Sequence, residues 1–251
     1  LLSCCIARDV TERRLMEQEL IQAERLAVIG KLAAGVAHEI NNPLGIVRTN
    51  ADIMRKLSSD PVVLERLDVL RRNVDRAADI TGKLLRLAVP REMETHPLDL
   101  AELARESLNF LRPRLKNVEL DTAGLAHPLP ILGDKSQLEQ IIINLLLNGL
   151  ESMKFRGRLS LEGMTDTDAE GHPTAVLRVR DSGPGIAPEA RERVFDLFYT
   201  TRSSEGFGIG LFVSRRIAER HGGTLRAESH PEGGAVMVLT LPAAPAPERA
   251  D

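Results

Sequence analysis

The chain has 251 residues, of which 43% are apolar and 27% charged, and its formal net charge at pH 7 is -3. This composition is typical of a water-soluble protein, and the length allows one large core or two smaller ones, so we expect two domains. The chain lacks the basic footprint of a nucleic-acid-binding protein, and nothing in its charge favours contact with a membrane surface. No apolar run reaches the roughly 20 residues of a membrane-spanning helix.

The two cysteines, Cys4 and Cys5, are adjacent and lie at the start of the chain. They cannot form a disulfide framework, which favours a reducing, cytoplasmic compartment. The chain begins at Leu1 without an initiator methionine, so we expect a fragment of a longer protein whose other parts could include a membrane anchor. The last residues, 246–251, are expected to form a disordered tail.

A long helical pattern begins at Met16, after a short apolar stretch and a turn at 9–14. Its apolar residues recur at steps of three and four, which is typical of a coiled-coil seam that needs a partner helix. The residues of this row are Leu26, Ile29, Ala33, Val36, Ile40, Leu44 and Val47.

The stretch GVAHEINNPLG at 35–45 stands out within this helix. At about 100° per residue, His38 points about 160° away from the mean direction of the apolar row, so it faces water. Asn42 lies about one turn further on the same face, and Gly45 and Thr49 continue it with small side chains. Pro43 lacks an amide hydrogen and its ring clashes with the preceding turn, which predicts a kink just after His38.

A second helix follows a predicted turn at 58–61 and stops before Pro90. Together the two helices form an antiparallel hairpin with little core of its own. A second copy of the chain would bury both apolar rows in a four-helix bundle, so we expect a homodimer. The apolar row of the second helix contains Leu64, Leu67, Leu70, Val74, Ala77, Ile80 and Leu84.

The composition changes at 91–97, where we place the boundary to a domain of mixed helices and strands. We predict helices near 98–112, 134–154 and 209–221, with His221 at the end of the last one. Strands are predicted near 118–121, 158–164, 174–180, 223–229 and 235–241. The polar, interrupted stretch 187–207 is expected to be a mobile loop over a site.

The sequence LRVRDSGPGI places Asp181 at the end of a strand, followed by Gly183 and Gly185. A carboxylate can accept a hydrogen bond from the amine of a flat base, and glycines allow the backbone to approach that base. Alone, the same pattern also fits an ordinary turn.

Two further motifs suit the phosphate end of a nucleotide. Gly206, Gly208 and Gly210 run directly into a helix, whose N-terminal amides can bind phosphate oxygens. Asn144 and Asn148 lie one turn apart on an apolar helix, and hard oxygen ligands of this kind suit Mg²⁺ on nucleotide phosphates.

Together, in this order, these motifs resemble the sensor histidine kinases of two-component signalling over nearly the whole chain. HEINNPL resembles the H-box, NLLLNGLES the N-box, DSGPGI and GFGIGL the two glycine boxes, and VFDLFYTTR the phenylalanine box. CIARDVTERR resembles the exit of a PAS sensory domain. The resemblance implies an α+β chain: a helical hairpin that dimerises into a four-helix bundle, then an α/β two-layer sandwich that binds ATP, of the gyrase and histidine kinase type.

By the same resemblance, residues 1–24 are the end of the sensory domain and a signalling helix, 25–90 the dimerisation and phosphotransfer hairpin, and 91–245 the catalytic domain. ATP and Mg²⁺ are the implied cofactors. The implied partners are a second copy of the chain, the receiver domain of a response regulator and an upstream sensory domain.

The resemblance also implies the roles of single residues. His38 would accept the phosphoryl group, Glu39 would act as the neighbouring acid or base, and Asn42 would orient water when the regulator is dephosphorylated. Asn148 would be the main Mg²⁺ ligand, with Asn144 nearby. Phe195 and Phe198 would tie the closing loop to the core. The implied nucleotide-binding residues are Asn144, Asn148, Asp181, Gly183, Gly185, Ile186, Phe195, Phe198, Thr201, Arg202, Gly206, Gly208, Gly210 and Leu211.

Two alternatives remain open at the level of sequence. The first is an ATPase related to DNA gyrase or the heat-shock chaperones, although Asn144 stands where those enzymes have a water-activating glutamate, and an amide cannot act as a base. The second is a dimeric binding module that senses nucleotide or partner without kinase activity. A zinc hydrolase is excluded, because HEINN lacks the second histidine of HExxH.

Overall fold

A computed structural model describes residues 40–88, 93–201, 208–230 and 233–244, without the side chains of 79–80 and 83–88. The chain divides into two compact units between Arg91 and Glu92. The predictions for 1–39 and for the tail 246–251 lie outside the described residues. Within the described ranges, no helix is both long and apolar enough to cross a membrane.

The first unit is a helical hairpin. Helix α1 occupies residues 40–57 of the described chain, and α2 runs from Pro61 to Ala88. The predicted turn between them is confirmed: the Asp60 carboxylate accepts the Val62 N–H at 2.8 Å, and proline occupies the first helical position. This combination starts a helix well, because the first-turn amides have no partner within the helix.

Three side-chain pairs show that the two helices are antiparallel. The Thr81 hydroxyl donates to Asn41 Oδ1 at 2.7 Å, Arg48 lies 3.9 Å from Asp75, and Arg55 pairs with Asp68. Early residues of α1 therefore meet late residues of α2, as predicted for a hairpin.

The hairpin has a narrow core. Ala51, Leu67, Val74 and Thr81 are buried, whereas many larger apolar side chains remain exposed. Within its described residues, a single hairpin thus leaves large apolar side chains of both helices exposed. The exposed large apolar residues of the two helices are Ile40, Ile46, Val47, Ile53, Met54, Leu57, Val62, Val63, Val69 and Leu70.

The second unit is a two-layer α/β structure. Its main sheet has five strands in the order β2-β4-β5-β7-β6, in which only the β2–β4 pair is parallel. The strands are β2 Val118–Gly124, β4 Gly157–Thr167, β5 Pro173–Asp181, β6 Thr224–Ser229 and β7 Ala235–Pro242.

Three helices form the second layer. They are α3 Leu100–Leu111, α4 Lys135–Ser152 and α5 Gly210–Arg220. Helix α4 packs against α3, α5 and strand β5, and its apolar residues Leu138, Ile141 and Leu146 are fully buried. The predicted mixed α/β fold is therefore confirmed, with α4 at its centre.

A small antiparallel sheet of β1 (His96–Asp99) and β3 (Pro130–Gly133) was not predicted. Each strand has only four residues and contains a proline, so neither shows the alternating pattern from which the other strands were predicted. Strand β1 leads directly into α3, where the Asp99 carboxylate accepts the Ala101 N–H at 2.9 Å.

Asp134 fixes the start of α4. Burial alone would raise the pKa of this carboxyl, but hydrogen bonds from Ser136 and Gln137 more than offset burial and hold its pKa below the usual value. Its contribution to stability is therefore complete above the ordinary pKa of aspartate and is lost as the pH falls through the lowered value. His221, at the predicted end of α5, accepts the backbone N–H of Asp134 through Nε2 at 3.0 Å.

Candidate active site

One face of α4 carries polar side chains along its length. Asn144, Asn148 and Ser152 follow one another at steps of four residues and are half-buried, whereas the neighbouring Leu145 and Leu146 are buried. At 1.5 Å per residue, the three side chains span about 12 Å along the helix. This polar face connects two sites of close packing, one at each end.

At the first end, Asn144 packs against the start of α5. Its Nδ2 donates to Ser214 Oγ at 2.9 Å, and Ser214 is only 1% exposed. A Cβ on Gly210, the first residue of α5, would overlap Asn144 Oδ1 and lie 3.1 Å from its Cγ. A side chain at 210 would therefore displace the Asn144 amide, whose oxygen lies beside the N-terminus of α5.

At the other end lies Asp181, the last residue of β5, with 6% of its surface exposed. Its Oδ1 accepts two hydrogen bonds, from the Gly183 N–H at 2.8 Å and from the Ser152 hydroxyl at 3.0 Å. A Cβ on Gly183 would lie 2.5 Å from Ser152 Oγ and 2.7 Å from Asp181 Oδ1. Only glycine therefore allows the turn after β5 to close on this carboxylate.

The turn after β5 is braced by the β6–β7 connection. Gly185 has a φ of +80°, and Gly234 has a φ of +88°. A Cβ on Gly234 would overlap the carbonyl oxygen of Asp181, and the Ser229 hydroxyl donates to the Ile186 carbonyl at 3.0 Å. The backbone around Asp181 is consequently held from two sides.

The described part of the predicted loop, 187–201, contains two short 3₁₀ turns, Pro188–Ala190 and Arg193–Phe195. Phe195 is 4% exposed, and the Arg215 guanidinium lies 5.1 Å from the centre of its ring. The segment up to 201 is therefore more regular than predicted and is attached to α5.

Phe198 differs from Phe195. Its side chain is 56% exposed, so the expectation that both phenylalanines tie the loop to the core is wrong for Phe198. Its role is in the backbone: it has a φ of +69°, and its N–H donates to the Gly208 carbonyl at 3.1 Å. Gly208 itself has a φ of +63°, and a Cβ there would overlap the Tyr199 carbonyl oxygen.

The remaining predicted residues fall into two groups. Thr201 is exposed, Leu211 is half-buried in the first turn of α5, and Asn42 is exposed on α1. His38, Glu39, Arg202 and Gly206 lie outside the described residues.

The geometry suits an elongated ligand that is polar at both ends. A carboxylate beside glycine backbone can read the amine of a base at one end, and the amides at the start of α5 can bind phosphate at the other. The donor set also fits a magnesium ion: Asn144 uses its amide nitrogen on Ser214, which leaves its oxygen, the hard ligand that Mg²⁺ requires, as the atom beside the helix start.

Sequence reasoning missed two residues of this site, Ser152 and Ser214. Ser152 lies four residues after Asn148 and eight after Asn144, so the helical period alone could have placed it on the same face. Ser214 lies one turn after Gly210, but its partner Asn144 is 70 residues away in sequence, and no local pattern reveals that contact.

Comparison with known proteins agrees with this geometry. Residues 133–245 match the family described as histidine kinase-, DNA gyrase B-, and HSP90-like ATPase. Residues 28–91 match the His Kinase A (phospho-acceptor) domain.

Two curated relatives match nearly the whole chain. The signal transduction histidine-protein kinase AtoS of Escherichia coli (strain K12) is 34% identical over 96% of this chain and 39% of its own length. The C4-dicarboxylate transport sensor protein DctB of Rhizobium meliloti (strain 1021) is 35% identical over 90% of this chain and 37% of its own length. The chain thus spans less than half the length of these relatives.

Two solved structures share the fold. Full-length ShkA in complex with AMPPNP has a TM-score of 0.72 and 26% identity over 86% of this chain and 46% of that one. The histidine kinase ThkA in complex with the response regulator TrrA has a TM-score of 0.66 and 28% identity over 94% of this chain and 68% of that one. The chain thus has a region that matches a phospho-acceptor domain followed by a region that matches the ATPase family, and over nearly its whole length it is similar to sensor histidine kinases.

Proposed function

We propose that this chain is the catalytic core of an autophosphorylating histidine kinase. A ring nitrogen of His38 attacks the γ-phosphorus of ATP, the bond to the β-phosphate oxygen breaks, and ADP leaves. The phosphoryl group then passes to an aspartate of a response regulator. The observation that carries the proposal is the polar face of α4, which ends at a carboxylate suited to a base and at a helix N-terminus suited to phosphate.

In this proposal Asp181 accepts the amine of adenine, while Gly183, Gly185 and Ile186 line the base. The oxygen-bearing side chains of Asn148 and Asn144 hold Mg²⁺, which neutralises phosphate charge when bound. The phosphates lie at the start of α5, where backbone amides face them. The residues proposed around the phosphates and the closing loop are Phe195, Phe198, Thr201, Arg202, Gly206, Gly208, Gly210 and Leu211.

The phospho-acceptor chemistry depends on a neutral imidazole. An unperturbed histidine is largely neutral near pH 7 and can act as a nucleophile. Glu39 is proposed to hold the proton on the other ring nitrogen, which keeps the attacking nitrogen unprotonated. Arg202 would offset charge on the transferring group.

The proposed partners follow from the first unit. Its exposed apolar residues on α1 and α2 offer a surface that a second hairpin could cover, which supports a homodimer with a four-helix core. The exposed Asn42, Gly45 and Thr49 are proposed to contact the receiver domain of the regulator.

We further propose the domain division 1–24, 25–90 and 91–245 with the tail 246–251, and an upstream PAS-like sensory domain. The kinase core would work in the cytoplasm, where ATP and the regulator are available. We also propose that it can dephosphorylate its regulator.

The kinase proposal predicts a covalent label on one residue. Wild-type chain incubated with Mg²⁺ and γ-labelled ATP should acquire label that is stable in base and labile in acid, and His38→Gln should acquire none. Label that persists in His38→Gln would contradict the assignment of the acceptor. Release of free phosphate by a wild type that acquires no label would favour an ATPase instead.

Replacing Asn42 by alanine should separate two activities. Asn42 is exposed on α1 and lies far in sequence from every residue of the ATP site, so Asn42→Ala should retain most autophosphorylation. Its loss should slow dephosphorylation of the regulator by about 10-fold or more, because a side chain that orients water contributes to positioning. Rates of label gain on the kinase and label loss from the regulator would be compared, with Asn50→Ala on the same helix as control. An equal fall in both rates would count against this role.

A further inference from the structure

Ser152 lies at the adenine end of the site and has a single hydroxyl proton within reach of two acceptors. Its Oγ lies 2.8 Å from the Gly149 carbonyl oxygen, which belongs to its own helix, and 3.0 Å from Asp181 Oδ1. A carboxylate is a stronger acceptor than a backbone carbonyl, so an ionised Asp181 attracts this proton. The hydroxyl therefore links the last turn of α4 to the end of β5.

The second donor to the same oxygen is a backbone group. The Gly183 N–H is 2.8 Å from Asp181 Oδ1, and it can only donate. Two donors from different elements, a helix side chain and a turn amide, thus converge on one carboxylate oxygen. This arrangement fixes the rotation of the carboxyl group about its χ2 bond, which is otherwise broad.

The other carboxylate oxygen is oriented by this arrangement. Oδ2 lies on the side of α4, since a Cβ built on Gly149 would be 3.9 Å from Oδ2 and 3.4 Å from the Asp181 Cβ. Gly149 belongs to α4 and directly follows Asn148, so the Asp181 carboxylate lies beside the helix that carries the polar face.

We propose that Ser152 is a positioning residue that aims Asp181 at the 6-amino group of adenine. This inference rests on the proposed nucleotide site and adds a residue that determines base specificity. A carboxylate with a fixed direction gains more from a donor at one place than a carboxylate that rotates, because the ordering cost is already met before the ligand binds.

The test compares two ligands that differ only at the recognised group, ADP and purine riboside 5′-diphosphate, which lacks the 6-amino group. Isothermal titration of the wild-type chain with each ligand in Mg²⁺ buffer should show tighter binding of ADP. Ser152→Ala should weaken ADP binding by about threefold to tenfold, in line with the modest net contribution of a single hydrogen bond. It should change the affinity for purine riboside diphosphate by no more than about twofold, because this ligand has no amine to meet the carboxylate.

Ser107→Ala is the matched control. Ser107 is a buried helical serine whose hydroxyl donates to the Leu103 carbonyl at 2.8 Å, so its removal reproduces the loss of a buried hydroxyl within a helix of the same unit. Ser107→Ala should leave the affinities for ADP and for purine riboside diphosphate near wild type, apart from any change caused by a lower stability of the fold.

Three results would overturn the inference. Ser152→Ala could weaken both ligands equally, which would indicate a structural role only, or it could leave ADP binding unchanged. Either result would leave the proposed nucleotide site intact and would contradict the positioning role of Ser152. A wild type that binds neither ligand would instead remove the proposed function together with this inference.

Discussion

Asp181→Asn should abolish selective binding of adenine nucleotides while the fold is retained. The Gly183 N–H can only donate, so it forces the amide oxygen of the new asparagine into the position of Oδ1, where the Ser152 hydroxyl can also reach it. The amide nitrogen must then occupy the position of Oδ2. The amide nitrogen is a donor, and so is the amine of adenine. The substitution therefore replaces an attractive hydrogen bond with a repulsive contact between two donors.

The expected effect on binding is large. Loss of a hydrogen bond to a charged acceptor, together with an unsatisfied donor, weakens the affinity for ATP and ADP by about a hundredfold or more. Purine riboside diphosphate should lose much less. The thermal midpoint should stay within about 2 °C of the wild type. For a domain of this size, that limit corresponds to a loss of no more than about 1 kcal/mol in the free energy of unfolding.

Asp166→Asn is the control for this prediction. Asp166 is exposed and lies opposite Thr174 in the antiparallel pairing of β4 with β5. This position is at the other end of the two strands from Asp181. Titration calorimetry and thermal unfolding of both variants separate recognition from folding. Wild-type affinity for ADP in Asp181→Asn would remove Asp181 from the base site, and a collapse of the thermal midpoint would show that its charge serves the fold instead.

The sequence predicts most of the fold because its elements have strong local signals. The strand at 174–180 alternates apolar and polar residues, and the structure extends it by one residue at each end, to Pro173–Asp181. Strands β1 and β3 escaped prediction because each has only four residues and contains a proline, so neither shows an alternating pattern.

The site was predictable where it depends on one element and not where it depends on two. Asn144 and Asn148 follow from the period of α4 alone. The contact of Asn144 with Ser214, and that of Ser152 with Asp181, each join residues 29 or more positions apart, and only the packed structure brings them together. The polar groups found by sequence are therefore the ones that would meet the ligand, and those found by structure hold them in place.

The contact between Asn144 and Ser214 also argues against the alternative of a water-activating ATPase. An amide at 144 cannot take a proton from water, and here its nitrogen is further committed to the hydroxyl of Ser214 at 2.9 Å. The structure therefore gives Asn144 a fixed orientation suited to an oxygen ligand. This orientation depends on the absence of a side chain at Gly210.

Gly210→Ala is predicted to disrupt the phosphate end of the site. The added methyl group would overlap Asn144 Oδ1, so Asn144 must rotate and release Ser214, a buried hydroxyl. Overpacking costs about 1–3 kcal/mol, which exceeds the gain of up to about 1 kcal/mol in helix propensity from glycine to alanine. The thermal midpoint of the catalytic unit should fall by about 2–4 °C for each kcal/mol lost, and nucleotide binding and autophosphorylation should fall with it. Arg216→Ala, an exposed change on the same helix, should leave all three measurements near wild type.

A double-mutant cycle tests whether Asn144 is the cause. In the background of Asn144→Ala the overlapping oxygen is gone, so adding Gly210→Ala should be neutral or slightly stabilising, as helix propensity alone predicts. Unfolding free energies of the four proteins, measured with urea, give the coupling between the two positions. An equal cost of Gly210→Ala in both backgrounds would show that the methyl group meets something other than Asn144. A coupling of about 1 kcal/mol or more would instead show that close packing between two helices, and not the amide alone, sets the direction of the proposed metal ligand.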